Sequence, residues 1–283
     1  MSPLRSILVT GSSGRIGSAI CAVARKQGLR VVGLDSRPDA LSAKADITHG
    51  ASLAKWFEGI DCVFHCAGLH APHVRLVTND RFQKVNVGGT QNVLQAVKQA
   101  GVPRIVLTSS TAVLGGGSEP GHPARWIDEM TPAVPRTIYH TTKIEAELEV
   151  RKATGPDLKA SIVRLGRCFE EGRYLTTVYR LSRGISVRGA TTAHLCAANA
   201  CDLECKPMIA SAQTPFDRDD MSALGCDASS IIEDKCSELP AVFAARGWAI
   251  PTRIDRVYDS AATQKLWQWT PRDDIHTTLA RLS

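Results

Sequence analysis

Thr10-Gly11-Ser12-Ser13-Gly14-Arg15-Ile16-Gly17 is the stretch on which the reading of this chain turns. The apolar run Ile7-Leu8-Val9 before it reads as a buried strand, and Ser18-Ala19-Ile20-Cys21-Ala22-Val23-Ala24 behind it reads as a helix. A glycine-punctuated turn between strand and helix points backbone N–H groups and the positive end of the helix dipole at one spot, which suits a pyrophosphate. Gly11 permits the tight turn, Gly14 lets the backbone approach phosphates, and Gly17 lets the helix pack close to the strand; Ser13, Arg15 and Ile16 complete the candidate loop. A second apolar run, Arg30-Val31-Val32-Gly33-Leu34, ends in Asp35, 18 residues beyond Gly17. A carboxylate there can accept both hydroxyls of an adenosine ribose and repels a 2′-phosphate, so NAD is expected. Arg37, two residues on, could accept that phosphate, which leaves NADP open.

The rest of the chain alternates in the same manner. Cys62-Val63-Phe64-His65, Arg104-Ile105-Val106-Leu107-Thr108 and Ala160-Ser161-Ile162-Val163-Arg164 read as strands, with Met208-Ile209-Ala210-Ser211 as a late one. Helices are expected over Ala51–Phe57, around Phe82–Ala100, from near Tyr139, and over Ser260–Trp267. A Gly/Pro-rich loop is expected over Gly115–Pro135. Strands alternating with helices imply a doubly wound parallel α/β sheet of the Rossmann kind. Beyond about Phe169 the alternation becomes irregular, so the expected division is a dinucleotide-binding domain over 1–168 and a small C-terminal substrate lobe over 169–283, with residues about 206–212 returning to the sheet.

Composition narrows the classes. The chain has 283 residues, 43% of them hydrophobic and 22% charged, the profile of a globule able to bury a full core. No apolar run has the ~18 residues of a membrane span, and the first strand begins too near Met1 to leave room for a secretory leader; a cytoplasmic protein is expected. The net charge of +6 is dispersed and suits an anionic small molecule better than nucleic acid. Nine cysteines, an odd count, argue for reduced thiols. Cys196, Cys201, Cys205, Cys226 and Cys236 crowd the region of His194 but contain no Cys-x-x-Cys pair, so no metal is expected.

Tyr139-His140-Thr141-Thr142-Lys143 sets Tyr139 and Lys143 on one helix face. A free phenol titrates near ~10, too high for a base at neutral pH. A neighbouring ammonium and an oxidised nicotinamide would favour the phenolate and lower that value. Tyr139 could then take a proton from a substrate hydroxyl while hydride leaves the adjacent carbon. Ser110 closes a strand on the side where ligands bind in such sheets, and its hydroxyl can orient the reacting oxygen.

With these residues in place, the chain resembles the extended, NAD-dependent epimerase/dehydratase-like branch of the short-chain dehydrogenase/reductase superfamily. Residues 10–17 are similar to that branch's Thr-Gly-x-x-Gly-x-x-Gly turn, and Asp46-Ile47 to its adenine-contacting pair. His65-Cys66-Ala67-Gly68 is similar to the segment along the pyrophosphate and ribose, and Asn86-Val87-Gly88-Gly89-Thr90-Gln91-Asn92 to its central-helix stretch. The resemblance implies cofactor contacts from Cys66, Ala67, Gly68, Asn86, Thr108, Tyr139 and Lys143, and catalytic roles for Ser110, Tyr139 and Lys143. Trp267-Gln268-Trp269-Thr270-Pro271 is similar to the usual Gly-Trp-x-Pro ending. It further implies a homodimer through helices near Phe82–Ala100 and Tyr139–Ala153. Arg164-Leu165-Gly166-Arg167-Cys168-Phe169 is similar to compact uronate-dehydrogenase-type members, which implies that Arg173 holds a substrate carboxylate, with Ser110 and Thr111 as further substrate contacts; His70, also expected at the substrate, replaces the small polar residue of that loop, so a standard uronate is not expected. Ser110 is followed by Thr111-Ala112 where dehydratases carry an acidic pair, and Arg167–Glu171 replaces the stretch usual in nucleotide-sugar epimerases. The expected activity is hydride transfer between a nicotinamide cofactor and a secondary alcohol or carbonyl of a small polar, sugar-like or carboxylated molecule. A nucleotide-sugar epimerase and a non-catalytic NAD(P)-binding regulator remain as alternatives.

Overall fold

The computed structural model describes residues 3–282. Its main sheet has seven strands: β1 (Ser6–Thr10), β2 (Arg30–Asp35), β3 (Ala43–Lys44), β4 (Cys62–His65), β5 (Arg104–Ser110), β7 (Lys159–Leu165) and β8 (Pro207–Ala210). All neighbouring pairs run parallel, in the order β3-β2-β1-β4-β5-β7-β8. The chain builds one way from β1 to β3, then returns to the other side of β1 with β4. That reversal leaves a crevice at the carboxyl ends of β1 and β4, where ligands bind in open α/β sheets. Strands buried on both faces need helices on both. On one side lie α1 (Arg15–Lys26) and α6 (Val187–Asn199); the other carries α2 (Asn79–Phe82), α3 (Gly89–Ala100) and α4 (Ile138–Ala153).

Two apolar cores follow from that layering. Ile7, Val9, Phe64 and Val106 face Ile20, Ala24, Ala193 and Ala197 on one side. Leu8, Val63, Ile105 and Ile162 face Val93, Val97, Ala146 and Val150 on the other. Alternation of side chains across each strand assigns neighbours such as Ile7 and Leu8 to opposite cores. A third cluster joins α5 (Arg173–Ser182), α7 (Met221–Cys226), α8 (Ala228–Lys235), α9 (Leu239–Ala244) and α11 (Ile275–Ala280) through Leu181, Phe216, Leu224, Phe243 and Leu279. The remaining helix, α10 (Ala261–Trp267), docks on β8 and α6.

Three local expectations are corrected. Residues 51–57 form two 3₁₀ turns, Gly50–Ser52 and Ala54–Trp56; Ser52 Oγ bonds the His49 carbonyl at 2.8 Å, a local bond that competes with α-helix. The helix expected around Phe82–Ala100 contains a π-helical turn, Gln83–Gly88, between α2 and α3. The loop over Gly115–Pro135 holds a strand, β6 (Arg125–Ile127), which pairs in parallel with β9 (Arg256–Tyr258).

Candidate active site

The turn after β1 shows why glycine stands where it does. Gly11 has φ 70°, and a Cβ there would lie 2.7 Å from the Ala67 nitrogen. A Cβ on Gly17 would overlap the Gly11 carbonyl oxygen. Only glycine lets α1 start this close to β1 and to the segment after β4. α1 has Gly14 at its N-cap, no side-chain cap and no acid in its first turn, so its leading N–H groups are available to an anion.

A proton-ordered chain fixes the floor beside that turn. Ala67 N–H donates to Thr10 Oγ1 at 3.3 Å, Thr10 and His65 Nδ1 lie 2.7 Å apart, and His65 Nε2 is 3.0 Å from Thr90 Oγ1. Thr90 spends its own proton on the Asn86 carbonyl at 2.6 Å. His65 Nε2 must therefore carry hydrogen and donate to Thr90, while Nδ1 accepts from Thr10. Burial pulls the His65 pKa down to about 3, with Lys143 adding to the effect, so the ring is neutral and this order holds across the physiological range. Asn86 continues the chain: its side chain exchanges two bonds with the backbone of Leu69 (2.7 and 3.0 Å) and donates to Thr142 at 3.1 Å. The loop after β4 is thereby tied to α4.

These elements enclose a cleft of about 800 Å³ at the crevice between β1 and β4. Its lining includes Gly11, Gly14, Arg15, Ile16, Gly17, Asp35, Arg37, Asp46, Ile47, Cys66, Ala67, Gly68, His70, Thr108, Ser110, Thr111, Tyr139 and Lys143. Asp35 accepts the backbone N–H groups of Ser13 (3.1 Å) and Arg37 (2.9 Å), which pins the carboxylate at the end of β2. Ser13 and Asn86 stand outside the lining and act through Asp35 and Leu69. Arg173 is exposed at the start of α5 and does not line the cleft. The arginines that do so beyond Tyr139 are Arg136, Arg167, Arg183 and Arg256. Nothing local sets them apart among 34 basic residues, because Arg256 reaches the cleft through a pairing with Arg125, far away in the sequence.

Ser110, Tyr139 and Lys143 come together on one wall. Thr137 caps α4 by accepting the His140 N–H, so Tyr139 and Lys143 fall on successive turns of its buried face. Burial raises the Tyr139 phenol above its ordinary value, and a hydrogen bond with Ser110 works against that rise. The expectation that Lys143 pulls the phenol down is corrected: its ammonium is held by the Thr108 carbonyl at 2.7 Å. Burial draws Lys143 down to about 8, opposed by Cys66 and Glu147. Behind Thr108, His194 bonds Thr108 Oγ1 at 2.9 Å and the Ala190 carbonyl at 2.7 Å, which makes it a wall support. Under α4, Glu147 receives Ser109 Oγ (2.5 Å) and two nitrogens of Arg164 (3.1 and 2.8 Å), all buried.

The profile of the NAD dependent epimerase/dehydratase family matches residues 7–185. Short-chain dehydrogenase/reductase family 42E member 1 of Bos taurus is 31% identical over 180 residues, 59% of this chain and 45% of that protein. The 3 beta-hydroxysteroid dehydrogenase/Delta 5-->4-isomerase of Mycobacterium tuberculosis is 34% identical over 167 residues, 54% of this chain and 44% of that protein. The matched stretch thus spans less than half the length of these relatives. Among solved structures, a short-chain dehydrogenase/reductase superfamily protein from Agrobacterium tumefaciens with bound NAD superposes with a TM-score of 0.71 at 20% identity, over 98% of this chain and 95% of that chain. At that identity the likeness speaks for the fold.

Proposed function

The chain belongs to the NAD dependent epimerase/dehydratase family, and from that premise we propose that it is an NAD-dependent oxidoreductase acting on a secondary alcohol or carbonyl of a small polar, sugar-like or carboxylated molecule. The observation that carries this reading is the meeting of Ser110, Tyr139 and Lys143 on the wall of a cleft whose opposite end is a glycine-floored helix N-terminus. The cradle fits a dinucleotide: Gly11 and Gly17 exclude any Cβ, the first turn of α1 has no acid, and Arg15 stands beside it. In this reading residues 1–168 supply the dinucleotide-binding body and 169–283 the substrate lobe. Asp35 would take the adenosine ribose, Asp46 and Ile47 the adenine, and Cys66, Ala67 and Gly68 the pyrophosphate and ribose. A bound nicotinamide supplies the hydride acceptor and, when oxidised, a positive charge beside the phenol.

Every proton step falls to the chain. Ser110 holds the substrate oxygen and the Tyr139 hydroxyl in one hydrogen-bonded array. Tyr139 is the acid/base that exchanges a proton with that oxygen as the carbon changes oxidation state. A phenol raised by burial is a poor base at neutral pH, so positive charge beside it must lower it before it can act. Lys143, which donates to the Thr108 carbonyl, would contact the nicotinamide ribose. A sugar epimerase would use the same three residues, and no observation in the cleft favours it over net oxidation.

Tyr139→Phe tests the reading, since it deletes one oxygen and leaves the ring. Turnover should fall by roughly 10²–10⁴-fold with NAD affinity nearly unchanged. Full activity of Tyr139→Phe on the true substrate would remove the acid/base from this wall. We further propose a cytoplasmic homodimer through α3 and α4, on the family resemblance and on Leu148, left exposed on α4. Among the described residues no helix is long and apolar enough to cross a membrane. Light scattering should give twice 30.5 kDa at micromolar concentration, and a monomer would reject that assembly.

A further inference from the structure

Charge is spread unevenly around the cleft. Its acidic lining residues, Asp35 and Asp46, lie at the ends of β2 and β3, while the wall beyond Tyr139 presents Arg136, Arg167, Arg183 and Arg256 and no acid. Two carboxylates approach these arginines from outside the lining. Glu171 takes Arg167 Nε at 2.8 Å, and Asp255 is shared between Arg183 Nη1 at 3.0 Å and Arg256 Nη2 at 2.8 Å. Asp255 is itself partly buried, which works to raise its pKa, yet Arg256, Arg183 and Arg253 together hold it below the ordinary carboxylate value. Four guanidiniums against two carboxylates leave this wall positive.

Arg183 and Arg256 are held in place, and Arg136 is exposed beside them. Arg183 lies over the Tyr179 ring at 4.5 Å, a ring that also carries Arg167 at 4.8 Å. Its Nε is buried with no hydrogen-bond partner among the described residues. Arg256 Nη1 donates to the Gly115 carbonyl at 3.1 Å, and Tyr258 hydrogen-bonds its guanidinium as well. Arg136 lies against Gly116, in space that a Cβ there would fill. Its side chain has no hydrogen-bond or ion-pair partner among the described residues. Guanidiniums with donors to spare match phosphate and carboxylate oxygens, which accept two parallel bonds from one arginine.

We propose that Arg136, Arg183 and Arg256 form an anion clamp, so that the substrate carries a phosphate or carboxylate apart from its reacting alcohol. The inference rests on reading the Ser110–Tyr139–Lys143 wall as the reacting site. A neutral polycyclic alcohol in the same place would desolvate these cations and return nothing to them. The clamp therefore separates this chain from a relative whose name specifies a hydroxysteroid.

Calorimetry on the NAD-loaded full chain tests this with inorganic phosphate and two matched probe pairs: galactose against galacturonate, and glucose against glucose 6-phosphate. An acidic member should bind roughly tenfold or more tightly than its neutral partner, and the pair that shows the preference tells phosphate from carboxylate. Arg136→Gln, which has no side-chain partner to lose, should reduce that preference by about the same factor, and Arg183→Met should do likewise. Equal binding of neutral and acidic members, failure of phosphate and both acids to bind, or a preference intact in Arg136→Gln would each overturn the clamp. NADH formation is read separately. Acid-selective binding without turnover of any alcohol would sink the hydride-transfer reading and leave the clamp standing. Turnover of neutral and acidic alcohols with equal kcat/KM would sink the clamp alone.

Discussion

Lys143 shows what a buried reactive residue costs. Its pKa sits at about 8 against an ordinary 10.5, with burial as the leading cause, so at neutral pH the folded chain holds a cation it would more readily neutralise. The difference is worth roughly 3 kcal/mol at that pH. The sign follows from linkage: between about 8 and 10.5 the unfolded chain binds more protons at this site than the folded one, so this residue's contribution to stability rises with pH across that window and is least favourable below it. Lys143→Met keeps the length of the side chain and removes the charge. It should raise the urea midpoint at pH 7 while abolishing turnover, and its advantage over the parent should shrink as pH rises from about 8 towards 10.5. Equal midpoints at pH 7 would mean that the Thr108 carbonyl and Glu147 fully compensate the ammonium. At this scale Tyr139, Lys143 and Ser110 were legible because side-chain chemistry and helical spacing are both local. Arg173, expected to hold a substrate carboxylate, is exposed and outside the cleft lining, since a guanidinium looks the same in sequence whether it faces a cleft or water.

Among the elements, α4 does most to organise the wall. It buries Thr142, Lys143 and Glu147 beside Ala146 and Val150, so its inner face is as polar as it is apolar and the usual amphipathic signature is weak. Its start near Tyr139 was still readable, and Thr137 supplies the N-cap there. What holds α4 against the sheet could not be read in that way, because Glu147 finds Arg164 on β7 and Ser109 on β5 only after the sheet is built. For the same reason β6 passed as loop until its pairing with β9 was seen. Glu147→Ala should leave Arg164 buried without a counter-charge and cost roughly 3–5 kcal/mol. The pair Glu147→Leu with Arg164→Met should recover most of that loss. Urea unfolding of the two singles and the double measures it, and an Arg164→Met that rescues nothing would show that Ser109 and packing, rather than the ion pair, seat the helix.

Across the whole molecule, the parallel alternation was legible for every strand of the main sheet but the two-residue β3, and the irregular remainder after Phe169 became a cluster of short helices around Leu224 and Phe243. That cluster is joined to the sheet core at several points along the chain: Leu181, Phe216 and Ile275 belong to it, while Ile185, Ala210 and Trp269, a few residues from each, pack in the core under α1 and α6. The cleft is lined from both sides, by Gly11, Gly14, Gly17 and Asp35 from the sheet and by Arg183, Arg256 and Tyr258 from the far wall. A ligand filling it should therefore stabilise the chain as one unit in a single thermal transition. At a hundredfold excess over its Kd, NAD should contribute about 2.7 kcal/mol, a rise in Tm on the order of 5–10 °C for a chain of this size. NADP should give a smaller rise at equal concentration, because its 2′-phosphate would meet the Asp35 carboxylate, held in place by the Ser13 and Arg37 N–H groups. Thermal scans with each cofactor, repeated on Asp35→Ala, separate the contributions. In that variant the NAD rise should fall and the gap to NADP should close. An unmutated chain that NADP stabilises as much as NAD would transfer cofactor selection from Asp35 to the exposed Arg37 beside it.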